Sequence, residues 1–126
     1  MPPARAILLV EPDRTCGRAL AEVLRRGGDS VRVVRTTRQA MQAAGRRVYD
    51  LALVDLLVRG GGVELARRLA RRVLRLYLTV GARLLLRDEI LEAALGFPVL
   101  HKGRVSSVLA RALPGRRGAK GNGRRA

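Results

Sequence analysis

"YDLALVDLLVRGGGVEL", residues 49–65, is the stretch on which the fold turns. Four apolar residues, Leu51 to Val54, run into a carboxylate at Asp55. Three glycines, Gly60 to Gly62, then open a segment in which Val63, Leu65, Ala66, Leu69 and Ala70 recur at helical spacing. A short, unbroken apolar run fits a strand covered on both faces. Strand, acid, glycine loop and helix, in that order, make half of a unit whose chain must cross back over a parallel sheet.

The same grammar extends in both directions. Upstream, "AILLV" (6–10) runs into Glu11, Pro12 and Asp13, and Cys16, Leu20, Val23 and Leu24 then mark a helix that Gly27 and Gly28 stop. "VRVV" (31–34) reads as a strand, and Thr36 or Thr37 caps a helix reaching Ala44, with Ala40, Met41 and Ala44 inward. Tyr49 and Asp50 lead into the strand at 51–54. Downstream, "LRLYLTV" (74–80) is a strand, and a helix runs from about Arg87 to Leu95 with Ile90, Leu91 and Ala94 apolar. "PVLH" (98–101) is a strand with its proline at the first position, where it is tolerated. Val105 to Leu113 forms the last helix. Five strands alternating with five helices imply a parallel sheet, helices on both faces and right-handed crossovers. Residues 1–113 thus read as one domain. Residues 114–126, "PGRRGAKGNGRRA", read as a disordered basic tail.

Composition narrows the function classes. The chain has 126 residues, enough for one domain, and 48% are hydrophobic, so a core can form. Aromatics are only 2%, which leaves almost no platform for stacking bases. Twenty-six basic residues against ten acids give a formal charge of +16, which draws the chain to anionic partners. Cys16 is the one cysteine, so no internal disulfide can form, and its reading is a small side chain buried on a helix. No membrane span and no secretory signal are visible, and the cytoplasm is the expected compartment. No zinc-ligand spacing, Ser-His-Asp set or P-loop spacing occurs.

In parallel sheets of this kind, sites form beyond the carboxyl ends of the strands. Glu11 and Asp13 follow the first strand, Asp55 the third, Thr79 closes the fourth and Lys102 follows the fifth. A lone acid at a strand end is usually a turn or helix cap. Acids, a hydroxyl and an amine at four correct ends make a much more specific pattern. His101 beside Lys102 reads as an ordinary side chain at a strand end.

That pattern resembles the receiver domains of response regulators, the phosphoacceptor half of two-component signalling, over roughly residues 5–113. "ILLVEPD" (7–13) is similar to the family's acidic motif, residues 49–65 to its phosphoacceptor segment, "LYLTVGA" (76–82) to its switch segment and "PVLHKG" (98–103) to its lysine segment. The resemblance implies a flavodoxin-like, doubly wound α/β fold with five strands in the order 2-1-3-4-5. It implies Asp55 as phosphoacceptor, Thr79 and Lys102 as phosphoryl-binding and switch residues, and Mg²⁺ held by Glu11, Asp55 and the Leu57 backbone carbonyl; Asp13, one residue beyond the family position, either swings in as a further ligand or caps the first helix, the cap being favoured. It implies a phosphorelay protein rather than a turnover enzyme. Its partners would be a sensor histidine kinase or phosphotransfer protein and a downstream protein target. A homodimer through the helix 4, strand 5 and helix 5 face is also implied.

Four positions depart from the family pattern. Pro12 stands where the second acid, a direct metal ligand, is usual. Asp13 lies one residue further on, where it can cap the first helix. Arg59 and the following glycines replace the usual loop after the acceptor, and helix 3 is expected to be short. Gly103 replaces the proline after the lysine, and Val99 stands where an aromatic switch residue is common. Three functional readings follow. The first is a single-domain phosphorylatable receiver. The second is a degenerate pseudo-receiver that binds proteins without phosphorylation. The third is salt-dependent, sequence-blind binding of nucleic acid through the basic tail, which is compatible with either.

Overall fold

The structure is a computed structural model that describes residues 4–81 and 87–112. The tail at 114–126 lies outside the described residues.

Chain order is β1 (Ala6–Val10), α1 (Arg14–Arg26), β2 (Ser30–Val34), α2 (Thr37–Arg46), β3 (Tyr49–Asp55), α3 (Gly62–Leu69), β4 (Val73–Val80), α4 (Asp88–Leu95), β5 (Val99–His101) and α5 (Val105–Ala112). A single 3₁₀ turn, Lys102–Arg104, joins β5 to α5. The sheet is parallel throughout, in the order β2-β1-β3-β4-β5. This is the flavodoxin-like arrangement expected from the sequence.

β1, an interior strand between β2 and β3, explains the layering. Ile7, Leu8, Leu9 and Val10 are all fully buried. Successive side chains on a strand point to opposite faces. Ala6, Leu8 and Val10 therefore join one apolar cluster, with Ala40, Ala43, Leu65, Leu69 and Leu91. Ile7 and Leu9 join the other, with Leu20, Leu24, Val105 and Leu109. Each such Leu or Ile contributes about 1.5–3 kcal/mol through removal from water. The first cluster holds α2, α3 and α4 on one face, and the second holds α1 and α5 on the other.

Several details differ from expectation. β3 begins at Tyr49 rather than Leu51, because Tyr49 pairs in register with Val73 and is itself buried. Pro98 lies just outside β5, where its carbonyl accepts from the Leu78 amide at 2.9 Å. Val23 and Ile90, apolar positions at helical spacing, are 38% and 48% exposed. Each sits on the rim of its helix, whose apolar stripe is already filled by Leu20 and Leu24 in α1 and by Leu91 in α4. Ala70 is exposed for a different reason: α3 has eight residues and ends at Leu69.

No described helix is long and apolar enough to cross a membrane.

Candidate functional site

The carboxyl ends of β1, β3 and β4 and the turn after β5 meet at one edge of the sheet. Glu11 directly follows β1, Asp55 is the last residue of β3, and Thr79 lies beside Asp55 in the β3–β4 register. Lys102 is the first residue of the 3₁₀ turn after β5. Glu11, Asp55 and Thr79 are all buried, at 2%, 7% and 1% exposed.

Lys102 closes the constellation. Its Nζ lies 2.6 Å from Asp55 Oδ1 and 2.7 Å from Glu11 Oε1. Two carboxylates this close to each other in a partly dry pocket would repel, and the ammonium between them removes that cost. Burial works against the charge on Lys102. Hydrogen bonds to Asp55 and Glu11 and the field of both carboxylates outweigh it, so its pKa stands above the ordinary lysine value. The amine is therefore charged at any physiological pH.

The remaining carboxylate oxygens are held by backbone. Glu11 Oε2 accepts from the Asp13 amide at 3.1 Å, and Asp55 Oδ2 accepts from the Leu57 amide at 3.0 Å. Both acids are thus fixed in direction as well as charge. The turn after Asp55 is tight: Val58 N–H donates to the Asp55 carbonyl at 3.2 Å, and Gly62 N–H to the Leu56 carbonyl at 3.1 Å. Gly60 and Gly61 have positive φ angles of 94° and 97°, which glycine adopts without steric cost. Gly62 is needed for a different reason. A Cβ there would meet the Asp55 carbonyl oxygen at 2.5 Å and Leu56 backbone atoms at 2.7 Å.

Asp13 does not join the other acids. Its carboxylate accepts from the Cys16 amide at 2.7 Å and caps α1. Pro12 offers only its carbonyl, which accepts from Arg35 Nε at 3.1 Å. The Leu57 side chain is 84% exposed. The Thr79 hydroxyl is buried and has no hydrogen-bond partner. That is unusual for a buried polar group and leaves a donor free beside Asp55.

Two participants escaped the sequence reading. Cys16 is not an inert core residue: its Sγ lies 3.5 Å from Glu11 Oε1. Burial, followed by the neighbouring Glu11 carboxylate, pushes its thiol pKa above the usual value, so it is protonated and a poor nucleophile. The available signal was its position, one helical turn after the Asp13 cap. The second is His101, whose Nε2 lies 2.7 Å from Asp88 Oδ1. This contact ties the end of β5 to the first turn of α4. The peptide after Lys102 is trans, since no cis bond occurs among the described residues.

No family model and no curated protein matches the sequence. Solved structures do match. A protein described as a response regulator, from Chloroflexus aurantiacus J-10-fl, is 24% identical over 86% of this chain and 99% of its own, with a TM-score of 0.69. A sensor protein from Polaromonas sp. JS666 is 25% identical over 87% of this chain and 96% of its own, with a TM-score of 0.68. A response regulator from Thermotoga maritima in complex with Mg²⁺–BeF is 22% identical over 60% of this chain and 68% of its own, with a TM-score of 0.55. The chain has the five-stranded parallel α/β fold of these response regulators.

Proposed function

We propose that this chain is a receiver in a phosphorelay and accepts a phosphoryl group on Asp55. The observation that carries this reading is the placement of Lys102 Nζ within 2.7 Å of both Asp55 and Glu11. Phosphoryl transfer to a carboxylate joins two anions, so its main requirements are positioning and charge neutralisation. An Asp55 oxygen bonds to phosphorus as the phosphorus–nitrogen bond of a partner's phosphohistidine breaks. The bonding pair returns to the imidazole nitrogen, which takes a proton from solvent. Asp55 is held for this by the Leu57 amide, Lys102 offsets the incoming charge, and the unpartnered Thr79 hydroxyl is free to donate to a phosphoryl oxygen.

The residues fit a Mg²⁺ ion. No group of three metal-ligating side chains occurs among the described residues. Mg²⁺, however, is commonly held by one or two carboxylates with water completing its shell. Glu11 and Asp55, which already face one shared cation, would hold it with the Leu57 carbonyl. When bound, the ion supplies neutralisation of the phosphoryl oxygens. Asp13 would have to leave its helix cap to take part.

The kinase or phosphotransfer protein would dock over Asp55, and the downstream protein would read the α4–β5–α5 face. The same face is where a homodimer would form.

Acetyl phosphate with Mg²⁺, followed by intact mass, tests the proposal. A gain of one phosphoryl group, absent in Asp55→Asn, is the expected result. No gain at saturating reagent overturns it and leaves a receiver fold that works without phosphorylation, the reading that Pro12 and the Asp13 cap favour.

A further inference from the structure

Away from the acidic pocket, the surface charge is divided unevenly. Between Ser30 and Gly81, Glu64 is the one exposed acid, and it holds Arg67 at 3.6 Å. The same span exposes arginines on β2, α2, α3 and β4, and among the described residues Arg38, Arg46, Arg68 and Arg72 form no ion pair. These four are placed in order. Arg38, Gln42 and Arg46 follow each other at four-residue steps along α2, on the side away from buried Ala40 and Ala44. Arg68, near the end of α3, and Arg72, just before β4, stand opposite. Thr37, Arg38, Met41, Gln42, Arg68 and Arg72 line one groove of about 620 Å³. Arg72 reaches across to α2, its guanidinium nitrogen lying 3.6 Å from the position a Cβ of Gly45 would take.

We infer that the α2–α3 groove binds the phosphodiester backbone of a nucleic acid. Three exposed arginines without ion-pair partners around one groove concentrate positive charge there, which an anion entering the groove would offset. The guanidinium fork matches phosphate oxygens in pairs. A nucleic-acid strand carries a charge about every 3.4 Å along its axis, so it meets each arginine in any register. An acidic peptide would need its carboxylates in the matching pattern. A lipid surface is flat and does not enter a groove. Tyr49, Tyr77 and Phe97 are the chain's aromatic residues and none is exposed, so bases find no stacking platform and the binding reads no sequence. The site lies in the folded domain and does not depend on the tail.

The test uses the full chain and a fluorescent random-sequence DNA duplex, with anisotropy read over a salt series. Three triple variants remove equal charge: Arg38→Gln with Arg68→Gln and Arg72→Gln in the groove, Arg14→Gln with Arg18→Gln and Arg104→Gln elsewhere, and Arg116→Gln with Arg117→Gln and Lys120→Gln in the tail. The groove variant is expected to weaken binding by on the order of tenfold or more and to flatten the log–log salt slope by about three. The other two should each lose less than about threefold. Equal losses in all three would mean diffuse charge attraction, and a dominant loss in the tail variant would move the site there. Either result overturns the proposal. So does competition by polyglutamate as effective, charge for charge, as competition by unlabelled DNA. Far-UV circular dichroism and the thermal midpoint confirm that each variant is folded.

Discussion

Lys102 Nζ lies 2.6 Å from Asp55 Oδ1, and the same amine reaches Glu11 at 2.7 Å. One cation thus joins β1, β3 and the turn after β5. Remove it, and two buried carboxylates face each other without compensation.

Lys102→Met is therefore expected to lower stability by about 1–3 kcal/mol at neutral pH, less than a fully buried pair would lose because water still reaches the amine. Urea unfolding measures this. The pH dependence has a definite sign. A folded pKa raised above the unfolded value of 10.5 gives stabilisation that is complete below that pH and is lost as pH climbs past it. The gap between wild type and Lys102→Met should stay constant at neutral pH and narrow above about 10.5. A gap independent of pH across the alkaline range would mean that the lysine acts through its aliphatic stem.

Thr79→Val should be neutral or stabilising by up to about 1 kcal/mol, because it replaces an unpartnered buried hydroxyl with a group of the same shape. The proposed function adds a second expectation: acetyl phosphate should modify the variant more slowly than wild type. A clear loss of stability on denaturation would show that the hydroxyl already has a partner, such as a bound water.

Asp13→Ala should cost about 1 kcal/mol by removing the α1 cap. Since the Asp13 carboxylate is taken up by the Cys16 amide, the affinity for Mg²⁺ should hardly change. Calorimetric titration separates the two roles, and a tenfold loss of Mg²⁺ affinity would make Asp13 a ligand.

Gly62→Ala should be among the most damaging single changes, by about 2–4 kcal/mol, because the new methyl meets backbone atoms at 2.5–2.7 Å that cannot swing aside. The thermal midpoint reads it. Gly81→Ala is the control, since a Cβ there meets nothing within 4 Å.

Much of the fold was legible because its signals are local. A buried central strand must be apolar on both sides, and "AILLV" is. A helix start needs an acceptor for free amides, and Thr36 accepts from Gln39 at 3.1 Å as its side chain allows. The placement of Glu11, Asp55, Thr79 and Lys102 at one edge follows from the alternation itself, since parallel strands bring all their carboxyl ends together. The errors lie where a neighbour far along the chain decides. Val23 and Ile90 carry the helical period, but whether such a residue is covered depends on what packs opposite. Tyr49 looks like an approach to the strand until Val73 pairs with it.

The sequence by itself determined the order of strands and helices, the sign of the surface and the four polar residues at the strand ends, because each rests on chemistry within a few residues. Only the tertiary structure decided how those residues are used. Asp13 could serve a metal or a helix, and the Cys16 amide at 2.7 Å settled on the helix. Cys16 looked like filler until Glu11 was found beside it. Lys102 became the shared partner of Asp55 and Glu11 because strands distant in sequence end side by side, and a charge in a dry pocket takes the nearest opposite charges that the packing supplies.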